Sequence, residues 1–404
     1  MNKSSNKFRH LVWPLVSLAL LLLFNAIFTD NFFKIEVKKS DSAQETVQPA
    51  SVPGELPAAA GETAAQAEAA VQAAANEAEQ QAPKKESKGV SIFGYYLYGT
   101  PIDILNQGSK VMVLAIGMTL VIATGGIDIS VGAVMAIAGA IAALLISMLD
   151  AGTCIGAGMG PSVYWIIPVL AALVLATLAG FWNGMLVAGF GIQPMVATLV
   201  LMVAGRGVAQ LITDGQIITF DNPGLVFLCN GHALFLPFSV WIVVAMYVIA
   251  GLLTRKTAFG LFIESVGNNE RASRYAGIEA RRIKWLTYVI CGFCAGVAGL
   301  LAASNIKCAD SNNAGLYLEL DAILATVIGG TSMAGGRFFL SGSLVGAILI
   351  QTLTTTMYMK NVSPAIVAVP KAMVVIIVCL LQSPVFRAKV LSIFASKAAK
   401  GGVQ

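Results

Sequence analysis

The sequence predicts an all-α polytopic membrane protein of about ten transmembrane helices. Three observations lead there. Of 404 residues, 57% are hydrophobic and only 12% charged, with 40 glycines, which lies outside the range of soluble domains. Runs of about twenty residues with few or no charges recur along most of the chain, each long enough as a helix to cross a hydrocarbon core of about 30 Å. These runs are continuously apolar, whereas the strands of a membrane β-barrel alternate apolar with polar residues.

The first segment, MNKSSNKFRHLVWPLVSLALLLLFNAIF, places Lys3, Lys7 and Arg9 ahead of an apolar stretch. No small-x-small cleavage site follows closely, so residues 1–39 read as a cytoplasmic N-terminus and an uncleaved first span rather than a signal peptide. Residues 40–100 depart from the membrane pattern. Between Ser40 and Lys88 the chain is rich in Ala, Glu and Gln and has no aromatic residue, so it cannot build a core of its own. Its Ala-rich centre favours helix, which gives a partly helical tether in solution; no heptad pattern supports a coiled partner segment.

A transmembrane domain is expected over residues 101–384. Spans end near Gly125-Gly126 and run near Ile129–Met148, Val163–Ala188, Pro194–Ile212, Leu236–Leu253, Trp285–Ala303, Leu318–Ser332, Phe338–Met357 and Ala365–Leu381. The loops DAGTCIGAGMGPS and TDGQIITFDNPGLVFLCNGHALF hold no Lys or Arg. Every Lys/Arg-rich loop falls on the side of both termini, including the 385–404 tail with Arg387, Lys389, Lys397 and Lys400. The positive-inside rule makes that side cytoplasmic and puts the tether in the periplasm of a bacterium.

Charge is concentrated in one loop, within residues 254–284. In FIESVGNNERASRYAGIEARRIKW, Asn268 and Asn269 precede Glu270, Arg271 and Arg274, and Gly277 follows. Asn269 is a good N-cap, Glu270 suits the positive end of the helix dipole, and Gly277 suits the left-handed position that ends a helix. Glu270 and Arg274 stand at i, i+4 and can pair. The prediction is a two-turn helix of about 12 Å on the membrane surface, with Arg281, Arg282 and Lys284 anchoring the next span. Topology alone needs charge but no defined shape, so a capped helix there points to a docking surface for a soluble partner.

The stretches MTLVIATGGIDISVGAVMAIAG, NGMLVAGFGIQPMVATLVLMVAGRGVAQLI, GNNERASRYAGI and LDAILATVIGGTSMAGGRFF resemble the permease subunits of bacterial ABC sugar importers, in the ribose/xylose/galactose branch, and most of all those for galactofuranose. The likeness covers Asn31–Val37 and Pro101–Pro384; the insertion between Ser40 and Lys88 has no counterpart in it. It implies a type II importer fold, a loop helix that couples to a cytoplasmic ABC ATPase, a periplasmic sugar-binding protein, and a second permease chain or copy to complete the pore. It also implies the inner membrane as location and a monosaccharide, galactofuranose or a related sugar, as cargo. The chain has no G-x-x-x-x-G-K-[ST], so ATP is expected to be hydrolysed by the partner, with no cofactor bound here.

Ionisable groups away from the membrane edges are costly and so are functional candidates by default. Asp128 follows Gly125-Gly126, where glycines permit a break in the helix; Gly329–Gly336 offers a second break, and both can equally be tight turns at the cytoplasmic edge. Arg206 lies mid-span and needs a carboxylate, carbonyls or water; Lys371 lies two turns into the last span. Asp128, Glu319 and Asp321 are their candidate partners, the last two at the outer start of a span. Asn183, Gln193 and Gln210 can hydrogen-bond a passing hydroxylated ligand. Cys291 and Cys294, with only His10 and His232 elsewhere, read as small packing residues rather than a metal or redox pair, and no cluster suits catalysis or nucleic acid. The competing function is a proton- or sodium-coupled secondary transporter of a small polar solute, with Asp128, Arg206 or Lys371 as a coupling relay.

Overall fold

A computed structural model describes residues 5–29, 32–39, 95–150 and 165–362, with 369, 371–373 and 376 in the last segment. The Ala/Glu-rich insertion, the 385–404 tail and most of the Ala365–Leu381 span lie outside the described residues. The elements are α1 (Ser5–Phe28), β1 (Glu36–Lys39), β2 (Tyr95–Tyr98), α2 (Thr100–Ala123), α3 (Val131–Asp150) and α4 (Ile166–Gly184). There follow α5 (Pro194–Ile212), β3 (Ile218–Thr219), α6 (Pro223–Asn230), β4 (His232–Ala233), β5 (Leu236–Pro237), α7 (Phe238–Lys256), α8 (Ala258–Asn268) and α9 (Glu270–Tyr275). The chain continues through α10 (Ala280–Ile306), β6 (Cys308–Ala309), α11 (Leu318–Ile328) and α12 (Leu340–Met359). Seven helices among the described residues are long and apolar enough to cross a membrane; α1 carries a shorter apolar stretch, Pro14–Ile27.

Three of these form the centre. The apolar windows of α2, α3 and α10 are 78, 72 and 78% buried, whereas those of α4, α5 and α7 are 28, 22 and 22% buried. Peripheral helices keep apolar side chains such as Leu170, Val203 and Ile249 exposed, as a lipid or subunit-facing surface requires. Small residues set the closest approach: a side chain on Gly180 of α4 would overlap the Tyr288 carbonyl of α10, and Gly292 meets Gly180 in return. Helix packing in membranes relies on such contacts because water supplies no driving force there. Local signals mark the ends. Pro101 and Pro194 stand in the first turns of α2 and α5, and Asn222 accepts from the Gly224 and Leu225 amides to cap α6.

Three features correct the linear reading of spans. α11 has 11 residues, about 16 Å, so the expected span Leu318–Ser332 crosses only about half the membrane. The second loop without Lys or Arg holds β3, α6 and β4; β3 pairs with β6, just after α10, and β4 with β5, just before α7. β1 and β2 pair antiparallel, Glu36 opposite Tyr98 and Lys39 opposite Tyr95, so the chain leaves for the insertion and returns from it at neighbouring points.

Candidate functional site

Two places gather the polar residues singled out above: the interior, where helices break, and the charged end of the bundle.

In the interior, α3 starts far from the charged end of α10, with Met135 beside Gly299 and Gly139 beside Ala303. The link 124–130 therefore runs from the charged end into the interior. Thr124, Asp128 and Ser130 are buried, and Gly126 packs on the Tyr288 hydroxyl. Asp128 Oδ1 accepts from the Ser130 amide (3.0 Å) and hydroxyl (2.6 Å), and from Asn183 Nδ2 at 3.4 Å; Asn183 also donates to Ser130 Oγ at 2.8 Å. Asp128 thus answers a free amide, that of Ser130, just before α3, and Asn183 ties α4 to the same group. Beside that start lies the start of α11: a side chain on Gly132 would overlap Glu319 Oε2 and the Gly315 carbonyl. Glu319 and Asp321 are accordingly buried in the interior, which corrects the outer-edge position expected from sequence. Two helix N-termini meet inside the bundle with carboxylates against them, the sign the helix dipole favours.

The 310–317 segment that leads down into α11 is irregular, so its carbonyls need partners. Arg206 Nη1 of α5 donates to the Ser311 (3.2 Å) and Ala314 (2.6 Å) carbonyls. Gln210 Nε2 donates to Asn312 Oδ1 at 2.7 Å, and Thr213 Oγ1 to Ser311 Oγ at 2.8 Å. Asp310 turns the segment, accepting from the Asn312 and Asn313 amides at 2.9 and 3.1 Å. Arg206 is held by carbonyls, one of the three kinds of partner expected of it, and by no carboxylate hydrogen bond among the described residues. Lys371 does have a carboxylate: its Nζ reaches Asp321 Oδ2 at 2.8 Å and Oδ1 at 3.0 Å, both side chains largely buried. Gln193 is the exception, since it lies at the charged end beside Glu270 and Arg274.

Sequence reasoning passed over Lys110. It lies well inside α2, donates to Gln107 Oε1 at 2.9 Å and lines a cavity of about 170 Å³ together with Asp310. The criterion that found Lys371, a charge inside an apolar run, finds Lys110 too.

At the charged end, Thr257 caps α8, whose Phe259, Ile263 and Val266 are buried on one side. Asn268 ends α8. Asn269 Oδ1 accepts from the Ala272 amide at 3.0 Å and starts α9, and the Ile278 amide bonds the Ser273 carbonyl (2.9 Å) around Gly277 at φ +81°. α9 has six residues, about 9 Å, shorter than predicted; α8 before it was not foreseen. Glu270 pairs with Arg274 (2.7 Å) and also with Lys284 at the start of α10 (2.6 Å), and the Lys284 hydrogen bond above all holds its carboxyl below the ordinary carboxylate value. Arg271 is exposed and Tyr275 is 93% exposed at the tip. The two predicted breaks converge here. The Gly336 amide donates to the Ala123 carbonyl at 2.9 Å, and a side chain on Gly267 would overlap that same carbonyl. The ends of α2 and α8 and the α11–α12 link therefore touch backbone to backbone.

Cys291 and Cys294 are buried free thiols, and no group of three or more metal-ligating side chains occurs among the described residues.

A multi-pass helical bundle with helices broken in its interior and a shaped, charged loop at one end is the architecture of a membrane permease. The chain belongs to the family described as branched-chain amino acid transport system / permease component, which it matches over residues 100–381. It is 55% identical over 290 residues to the galactofuranose transporter permease protein YtfT of Escherichia coli K12, covering 72% of this chain and 81% of that one. It is 41% identical over 292 residues to the fructose import permease protein FruF of Bifidobacterium longum, covering 71% and 78%, and 34% identical over 293 residues to the ribose import permease protein RbsC of Escherichia coli K12, covering 72% and 87%. No solved structure matches.

Proposed function

We propose that this chain is the permease subunit of an ATP-binding cassette importer that carries a monosaccharide, galactofuranose or a related sugar, across a bacterial inner membrane into the cytoplasm. The observation that carries the pathway is the irregular 310–317 segment. It stands partway through the bundle, yet Asn312, Asn313 and Tyr317 are exposed, next to exposed Gln210 of α5. Irregular backbone at that depth is tolerated only against protein or water, never lipid. A second permease subunit covering this face would enclose a water-filled path lined by amides, and amides both donate to and accept from sugar hydroxyls. Weak contacts suffice, since a conduit that holds its cargo tightly releases it slowly.

The identity to sugar permeases supports the cargo class. The α8–α9 loop supports an ATPase partner: its capped tip, with Arg271 and Tyr275 exposed, suits docking, and its glycine contact with α2 and the α11–α12 link gives the docked partner a mechanical grip on the broken helices. On this reading both termini and the charged end are cytoplasmic, a periplasmic binding protein delivers the sugar, and ATP is hydrolysed by the partner alone.

The test is sugar uptake by vesicles containing the permease, an ATPase and a binding protein. Uptake should require ATP, resist a protonophore, and fall several-fold in a Gln210→Leu, Asn312→Leu double variant that still retains the ATPase on purification. Uptake that persists without the ATPase and collapses with the protonophore would overturn the proposal in favour of a secondary transporter.

A further inference from the structure

The charged end holds a cavity of about 270 Å³ between the α4–α5 turn and the α8–α10 loop. Arg274, Arg281 and Lys284 line it against a single carboxylate, Glu270. That carboxylate is already engaged by Arg274 and Lys284, while Arg281 has no ion pair among the described residues. The opposite wall, from Val187 to Pro194, carries no acidic side chain. Arg281 and Lys284 also sit near the N-terminus of α10, where the helix dipole disfavours cations, and that first turn holds no acidic residue and no side-chain cap bond. Setting topology requires positive charge on this side but not its convergence on one cavity.

The rim shows which anion fits. Phe190, on the turn between α4 and α5, is 71% exposed, and Met195, in the first turn of α5 next to the lining residue Pro194, is 48% exposed. An exposed apolar rim next to a cation in excess of the carboxylate matches an amphiphile with an anionic head. Basic pockets between transmembrane helices bind phospholipid headgroups in this way.

We propose that this cavity is a binding site for the phosphodiester headgroup of an anionic phospholipid, with Arg281 as the principal contact, Arg274 and Lys284 supporting it, and the acyl chains running over Phe190 and Met195. The lipid would sit against the base of the docking loop and brace α9 on α5. A free phosphate would satisfy the cations but gain nothing from the rim; an acidic side chain of a protein partner is the other possible occupant.

The full-length chain in nanodiscs of phosphatidylcholine with a minor share of phosphatidylglycerol tests this by native mass spectrometry after delipidation. Wild type should retain phosphatidylglycerol in preference to phosphatidylcholine. Arg281→Gln should bind it about fivefold more weakly, the worth of one cation at an anionic surface. Arg282→Gln, whose residue pairs with Glu279 and does not line the cavity, should behave as wild type. Phe190→Ser should also reduce retention, which keeps the test independent of Arg281. Equal retention of both lipids, or equal loss in the Arg281 and Arg282 variants, overturns the proposal. Full displacement by millimolar inorganic phosphate would show a free-phosphate site instead, and displacement only by a bound ATPase would show a protein contact.

Discussion

Lys371 and Asp321 form the one predicted intramembrane ion pair whose two members the structure brings into contact. Their side chains are 18 and 12% exposed, so removing one member strands the other in a poorly solvated place. Lys371→Leu should destabilise the protein by about 3–5 kcal/mol, and adding Asp321→Asn should recover part of that loss. Thermal unfolding of the detergent-solubilised single and double variants measures both; strictly additive losses would contradict the pairing. Arg206 differs. Its hydrogen-bond partners are the Ser311 and Ala314 carbonyls, so Arg206→Leu leaves two partly buried acceptors short and neutralising Asp128 should not rescue it. Glu270 gives a pH dependence whose sign is fixed. Its folded-state pKa is depressed, so its stabilisation of the loop is fully present above the ordinary carboxylate value and is lost as pH falls through the lower folded value. Protection against amide exchange at residues 270–284, taken relative to the intrinsic exchange rate at each pH, should fall on acidification in wild type and much less so in Glu270→Gln.

Between elements, the contact of Gly267 with Ala123 decides how the loop meets the core. A methyl group there has no flexible neighbour to displace, because the atoms in its way belong to the backbone of Ala123 and Gly336. Gly267→Ala should force α8 away from α2 at a cost of about 1–3 kcal/mol. If the joint transmits the ATPase stroke, transport should fall further than stability does. Comparing uptake per inserted molecule with the thermal midpoint separates the two effects. Lengthening the chain by two residues after Gly277 leaves the α8 joint intact but shifts α9 relative to Lys284, so it should weaken ATPase retention while insertion persists.

For the whole molecule, the β1–β2 ladder places the insertion. Lys39 and Tyr95 are opposed at the open end of the ladder, so the chain leaves for the insertion and returns from it at neighbouring points. We therefore expect deletion of Pro53–Gln81 to leave membrane insertion and most of the uptake intact. Loss of uptake at normal expression would instead assign the segment a partner. α4, α5 and α7 have the opposite character, each keeping many large apolar side chains exposed, whose cover is lipid or a second subunit.

Composition and hydropathy determined the all-α membrane class and most spans, because a helix that must satisfy its own backbone hydrogen bonds in lipid leaves an uninterrupted apolar run in the sequence. Pro194–Ile212 was read to the residue. The ends of α9 were equally legible, since Asn269 and Gly277 act through their own backbone neighbourhood. α8 was not, because half of it is buried against the bundle and its sequence continues the apolar character of α7. Nor was the half-length of α11 or the interior position of Glu319. An apolar run shows that a segment can enter the membrane but not how deep its helix starts. That depth is set by contacts distant in sequence: Gly132 on Gly315, and Arg206 on the Ser311 and Ala314 carbonyls. The choice of Asp321 over Asp128 for Lys371, and the meeting of both glycine breaks with Gly267, belong to the tertiary structure for the same reason. Pairing is a property of distance in space, which a linear pattern does not contain.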